Sequence, residues 1–256
     1  MFQLTDERGI PVITRLATPE LIAIGGRYRA AYLVQQAGYT LGIAAADGEA
    51  LAALLPANYL DEVTRARDDV DQARQDKTIA AVEAKQATGT QNDHVRALKV
   101  WRRKVVSRAQ RALRAGAILP TELTHIGQVR SVPALLEAAS KTLGLLAQQT
   151  AALDEVAPGT QPLIDEGRAL YQGLDQADSA QERKRTADLP AAVAAFYAKK
   201  GELYTGLKII NDAGHELFAH DVQAAAKYNL SILHRGHGQT AAAPSPPAPS
   251  PAATHA

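Results

Sequence analysis

The chain has 256 residues, carries no cysteine, and balances 28 Lys and Arg against 27 Asp and Glu for a formal net charge of +1. The missing thiol excludes a disulfide framework, a thiolate metal site and a cysteine nucleophile. The near-neutral balance gives no global pull toward nucleic acid or anionic lipid. The apolar share of 46% is too high for a disordered chain, and it is built from 51 Ala and 28 Leu rather than from the 3 Phe, 1 Trp and 8 Tyr. Ala and Leu are strong helix formers, while β-branched and aromatic residues are too sparse for a large sheet, so an all-α fold is expected.

Residues 1–19 read as an N-terminal extension. Asp6 and Glu7 come early and no basic stretch leads into an apolar core, so no secretory signal is expected there. No run of 18 apolar residues is present, so no transmembrane helix is expected and a cytoplasmic location is the default.

An internal repeat organises the middle of the chain. Glu20-Leu21 with Ile24-Gly25 reappears as Glu122-Leu123 with Ile126-Gly127, and Thr40-Leu41-Gly42 as Thr142-Leu143-Gly144, at an offset of 102. Ala50-Leu51 and Pro56 recur as Ala152-Leu153 and Pro158. Beyond the prolines the offset becomes 104, as a two-residue loop insertion makes it. There Asp61-Glu62, Asp71-Gln72-Ala73 and Lys104 match Asp165-Glu166, Asp175-Gln176-Ala177 and Lys208. The expectation is an antiparallel helical bundle of two tandem three-helix repeats, 20–118 and 119–235.

In the first repeat, one helix is expected over 27–54, interrupted near Gly38 or Gly42. A second is expected from Pro56 to about Ala87, with a break at Gly89. A third then runs to about Ala115. Apolar steps of three and four place Leu60, Val63, Val70, Ala73, Ala80, Ala84 and Ala87 on one stripe, and Val95, Leu98, Val105, Ala109 and Ala112 on another. In the second repeat, helices are expected over 132–156 and 161–186, with a third from Asp188-Leu189-Pro190 to about Leu233. Small residues on these stripes allow helices to approach closely. Residues 236–256, rich in Pro, Ala and Ser, read as a disordered tail that serves as a solubilising segment, a spacer or a docking segment.

Candidate chemistry is sparse. No nucleophile elbow, phosphate-binding loop or dinucleotide fingerprint occurs. Asp212, His215, Glu216 and His220 offer carboxylate and imidazole groups at helical spacings, as metal-binding bundles use. The interval of five between the histidines is not the four of a zinc protease, and the first repeat has Arg108 and Arg111 where the second has Asp212 and His215. Asp61-Glu62 and Asp165-Glu166 fall in first helical turns, where the helix dipole favours acids. No cofactor is expected. The stretch with the most distinct charge holds Arg96, Lys99, Arg102, Arg103, Lys104, Arg108, Arg111 and Arg114 with no acid among them, a surface that phosphates reward through counterion release. The six acids between Asp61 and Asp76 are expected to face it across a helical hairpin and compensate it. The functional expectation is a non-catalytic structural or protein-interaction module, with a protein partner or self-association. Polyanion binding through 96–114 and metal binding at 212–221 are the alternatives.

Overall fold

The computed structural model describes residues 13–156 and 158–235; the expected tail, 236–256, and most of the expected extension, 1–19, lie outside them. Among the described residues all regular structure is helical, and no helix is long and apolar enough to cross a membrane. The helices are α1 (Thr18–Gly25), α2 (Ala30–Ala52), α3 (Tyr59–Arg114), α4 (Thr121–Thr124), α5 (Val132–Gln148), α6 (Thr150–Asp154), α7 (Thr160–Arg183), α8 (Leu189–Leu217) and α9 (Val222–Ala225). A π-helical turn, Lys184–Asp188, joins α7 to α8, and a 3-10 turn, Ser231–His234, follows α9.

The expected break at Gly89 is absent. α3 runs for 56 residues through that position. An interior glycine costs about 1 kcal/mol relative to alanine, less than the cost of ending one helix and nucleating another. Nothing lies within 4 Å of where a Cβ on Gly89 would sit. Gly89→Ala is therefore expected to stabilise the fold by ~0.5–1 kcal/mol in urea denaturation, and a loss of stability would show that the helix is strained there.

The expected interruption of α2 is displaced. Gly38 and Gly42 sit within the helix, and the chain kinks instead at Gly48, with φ 55° and ψ −130°. That conformation is open to glycine and strained for other residues. The third helix expected to begin near Leu189 does so, but it follows α7 through the π turn without an intervening loop. Pro190 explains the turn. It has no N–H to donate and its ring crowds the preceding carbonyls, so the chain widens by one residue and the Leu189 N–H bonds the Lys184 carbonyl. α8 ends at Leu217, well short of Leu233.

The chain divides into two compact units, residues 1–74 with 194–256, and residues 75–193. In the first, α2, the 59–74 stretch of α3 and the 194–217 stretch of α8 share a core around Leu33, Leu51, Val63, Val70, Leu203 and Ile210. In the second, α5, α7 and the 95–114 stretch of α3 share a core around Leu98, Trp101, Leu135, Leu146, Ile164 and Leu174. The units thus cut across the expected boundaries. Each takes two helical stretches from one of the segments 20–118 and 119–235, and its third from the other.

Buried positions nevertheless correspond between the units. Leu33, Ala37, Thr40, Ala44 and Leu51 are buried in the first, and Leu135, Ala139, Thr142, Leu146 and Leu153 in the second, each pair 102 residues apart. At an offset of 104, buried Tyr59, Val63, Val70 and Ala73 correspond to Leu163, Gly167, Leu174 and Ala177. In the third stretch the register is 105 rather than 104. Leu98, Trp101, Arg102, Val105 and Ala109 correspond to Leu203, Gly206, Leu207, Ile210 and Gly214, all buried.

Close approach is concentrated at glycines. In the first unit a Cβ on Gly25 would lie 1.9 Å from the Tyr197 carbonyl oxygen, and one on Gly201 would lie 2.0 Å from that of Leu21. α1 and α8 cross there backbone to backbone. A Cβ on Gly206 would lie 2.8 Å from a Val63 methyl. In the second unit the pair is inverted: Gly167 is the small partner, and its Cβ would lie 2.2 Å from the Trp101 ring.

Candidate anion-binding site

The basic stretch of α3 lies in the second unit. Its helical period splits the eight cations by direction. Leu98, Trp101, Val105, Ala109 and Ala112 face the core, so the charged residues between them fall on its flanks and outer face. Trp101 is fully buried, and its indole N–H donates to the Leu163 carbonyl at 2.8 Å. It is not available to stack on a base or any other planar ligand.

Three of the eight cations are engaged. Arg96 pairs with Asp93 one turn earlier at 3.1 Å, with both side chains exposed. Lys104 reaches Glu166 of α7 at 2.6 Å. Arg108 lies 3.6 Å from Asp154 and donates to the Gly159 carbonyl at 3.3 Å. The Asp154 carboxyl is held below its usual range first by hydrogen bonds from Thr160 and then by Arg108. Arg108 thus braces the turn where α7 begins.

Lys99, Arg102, Arg103, Arg111 and Arg114 have no carboxylate partner among the described residues. The expected compensation by the acids of 61–76 does not occur, because those residues occupy the same continuous helix and not the far arm of a hairpin. Glu62, Asp68, Asp69 and Asp71 pair instead with Arg65, Arg67, Lys199 and Arg74. Even Asp76, the last of those six acids, stands 23 residues before Lys99. That is roughly 35 Å of helix, several Debye lengths at physiological salt.

The basic stretch bounds two surfaces. Arg103, Lys104, Arg108, Arg111 and Arg114 line a shallow groove of about 680 Å³ that also touches Val100 and Leu163. Lys99, Arg102 and Arg103 face the segment Ile126–Arg130 across a smaller and less open cleft of about 290 Å³. Arg130 is the cation that the sequence reading missed. It stands 16 residues beyond the basic run, in a loop, and no periodicity ties it to α3.

Arg102 is the unusual member. It is only 9% exposed, and burial pushes its guanidinium below the usual value. No described residue offers it a hydrogen bond or an ion pair. It also lines a second cleft, of about 520 Å³, together with Glu122, His125, Lys141 and Thr142. There Glu122 is committed to Lys141 at 3.5 Å, and its carboxyl is held low first by its own backbone N–H and then by Lys141. His125 Nδ1 lies 2.9 Å from the Thr124 hydroxyl.

The other candidate cluster is not assembled. Asp212 is ion-paired with Lys208 at 2.5 Å, and His215 and Glu216 are exposed. His220 lies past Leu217, where α8 has ended, so the helical spacing that would align it with Glu216 no longer holds. Among the described residues no group of three or more His, Asp or Glu is placed to hold a metal ion. Compared with models of protein families, with curated proteins and with solved structures, the chain matches none.

Proposed function

We propose that the protein is a non-catalytic binding module whose ligand is a polyanion, with nucleic acid as the chemical class, held on the exposed basic face of α3 in the second unit. The observation that carries this reading is the row Lys99, Arg103, Arg111 and Arg114, exposed and without carboxylate partners among the described residues. A row of this kind rewards regularly spaced phosphates by releasing their counterions. With Trp101 buried, the face reads backbone charge rather than base identity, so little sequence preference is expected.

A gel-shift titration against salt tests it. If each of the four exposed cations replaces one counterion, log K falls against log salt with a slope of about −3 for a single strand and nearer −4 for a duplex. Arg111→Glu combined with Arg114→Glu is expected to flatten that slope and weaken binding at least tenfold. Absence of binding at low salt removes the reading.

We also infer that the two units descend from one duplicated trio of helices whose third members have been exchanged. The matching buried positions and the inverted Trp101–Gly167 and Val63–Gly206 pairs support this.

A further inference from the structure

We propose that the cleft between α3 and the Ile126–Arg130 segment is a discrete site for a phosphomonoester, with Arg102 as its anchoring residue. This goes beyond the polyanion reading. The two share Lys99 and Arg103, but the basic face also needs Arg111 and Arg114 and the cleft needs Arg102 and Arg130, so either can fail without the other.

Four cations, Lys99, Arg102, Arg103 and Arg130, line the cleft together with no acid. Like charges converging on one space repel, so an anion seated among them is favoured. A carboxylate supplies a single negative charge. A phosphomonoester carries close to two at neutral pH and three acceptor oxygens, which suits a guanidinium fork flanked by ammonium and further guanidinium groups. A phosphodiester carries only one charge and has a substituent on each side, so it fits a recess less well than an open groove.

Arg102 separates this site from an ordinary basic patch. Most of its side chain is buried, its guanidinium has no protein partner among the described residues, and the guanidinium nitrogens keep contact with solvent, so the fork is held in place and open to a ligand. The second cleft that Arg102 touches is not the seat of the anion, since Glu122 lines it. Volume and lining add the rest of the ligand. About 290 Å³ exceeds what a bare phosphate fills, and Ile126 and Val129 form an apolar part of the wall. The occupant is therefore an organic phosphate whose apolar or planar part rests there. It is either a small molecule or the phosphorylated end of a chain.

Phenyl phosphate is the probe, titrated by calorimetry into the full chain in phosphate-free buffer, with diethyl phosphate as the diester control. Saturable binding is expected, at least tenfold tighter for the monoester. Arg102→Met, which keeps the volume of the stem, should abolish it without lowering the unfolding midpoint of the unliganded protein. Arg102→Lys, which keeps the charge and loses the fork, should bind several-fold more weakly than the native protein. Arg111→Glu with Arg114→Glu should leave phenyl phosphate binding as it was. A single-stranded oligonucleotide with and without a terminal phosphate separates the two sources: preference for the phosphorylated strand assigns the site to chain ends, and indifference alongside intact phenyl phosphate binding assigns it to small organic phosphates. Loss of oligonucleotide binding alone would remove the polyanion reading and leave this one standing. The proposal is overturned if phenyl phosphate shows no saturable binding, if the diester binds equally well, or if the Arg102 variants bind like the native protein.

Discussion

Gly167→Val is expected to destabilise the second unit by at least about 3 kcal/mol, and a compensating change on α3 is expected to return part of that loss. An added Cβ at Gly167 would fall 2.2 Å from Cζ2 and 2.4 Å from Cε2 of Trp101. These are rigid ring atoms, and the ring has no free direction in which to swing. It is wholly buried, and its N–H is tied to the Leu163 carbonyl on the same helix that would carry the new side chain. Trp101→Gly alone is expected to cost more still, about 4–5 kcal/mol, through the void, the orphaned carbonyl and a glycine inside a helix.

The double variant Trp101→Gly with Gly167→Val rebuilds the pair that the first unit already uses, in which Val63 stands against Gly206. Its loss should be smaller than the sum of the single losses by ~2 kcal/mol or more, because each change removes the strain or the void that the other creates. Urea denaturation followed by far-ultraviolet circular dichroism reads all four proteins, since the only tryptophan is lost in two of them. Strictly additive losses would mean that the two positions are not in contact, and would remove the strongest support for common descent of the units.

Gly214→Ala is expected to cost about 3 kcal/mol in the first unit, even though alanine is the better helix former. The new methyl would lie 2.2 Å from Cγ and Cδ1 of Tyr228 and 2.5 Å from Cδ2, so it meets the face of the ring and not its edge. Tyr228 is 2% exposed, stacks on Phe218 with centroids 6.1 Å apart, and donates its hydroxyl to the Asp47 carboxylate. Burial first, and the Asp47 hydrogen bond second, push its phenol well above the usual value, so the group is held protonated in the fold. Displacing the ring therefore also releases Asp47, next to the kink at Gly48. In a Tyr228→Leu background the flexible side chain can yield, and Gly214→Ala is expected to become close to neutral. An equal cost in both backgrounds would show that the ring is not what Gly214 makes room for.

These two glycines mark the limit of what was legible from the chain alone. The repeat comparison placed Ala109 opposite Ala213 at an offset of 104, whereas burial aligns Ala109 with Gly214. At 104 the stripe residues Leu98 and Ala112 meet Glu202 and Glu216, whereas at 105 they meet Leu203 and Leu217. The identities of Lys104 with Lys208 and Ala109 with Ala213 favour the first register when residues are matched by type alone, and burial favours the second.

The candidate site was legible in part. Eight cations on one helix were plain from their spacing, but three of them are spent on Asp93, Glu166 and Asp154, and only the last two of these acids lie on distant segments. The partner of interest, Arg130, and the burial of Arg102 depend on how the segment after α4 returns along α3. The metal reading rested on helical spacing that the chain abandons after Leu217.

The helical class, most of the buried stripes and the charged face of α3 are written in the order of the residues. Each depends on residues three or four apart on a single helix, and that relation holds wherever the helix goes. Where helices continue and which stretches share a core is settled only in the folded chain. A glycine at position 89 is too weak a breaker to end the helix, so α3 gives its first stretch to one core and its last to the other. α8 continues from α7 through the π turn yet gives its stretch from Ala194 to the core that α7 does not share. The choice rests on a difference of about 1 kcal/mol at one residue, set against cores whose members lie a hundred positions apart. A local pattern carries no record of that balance.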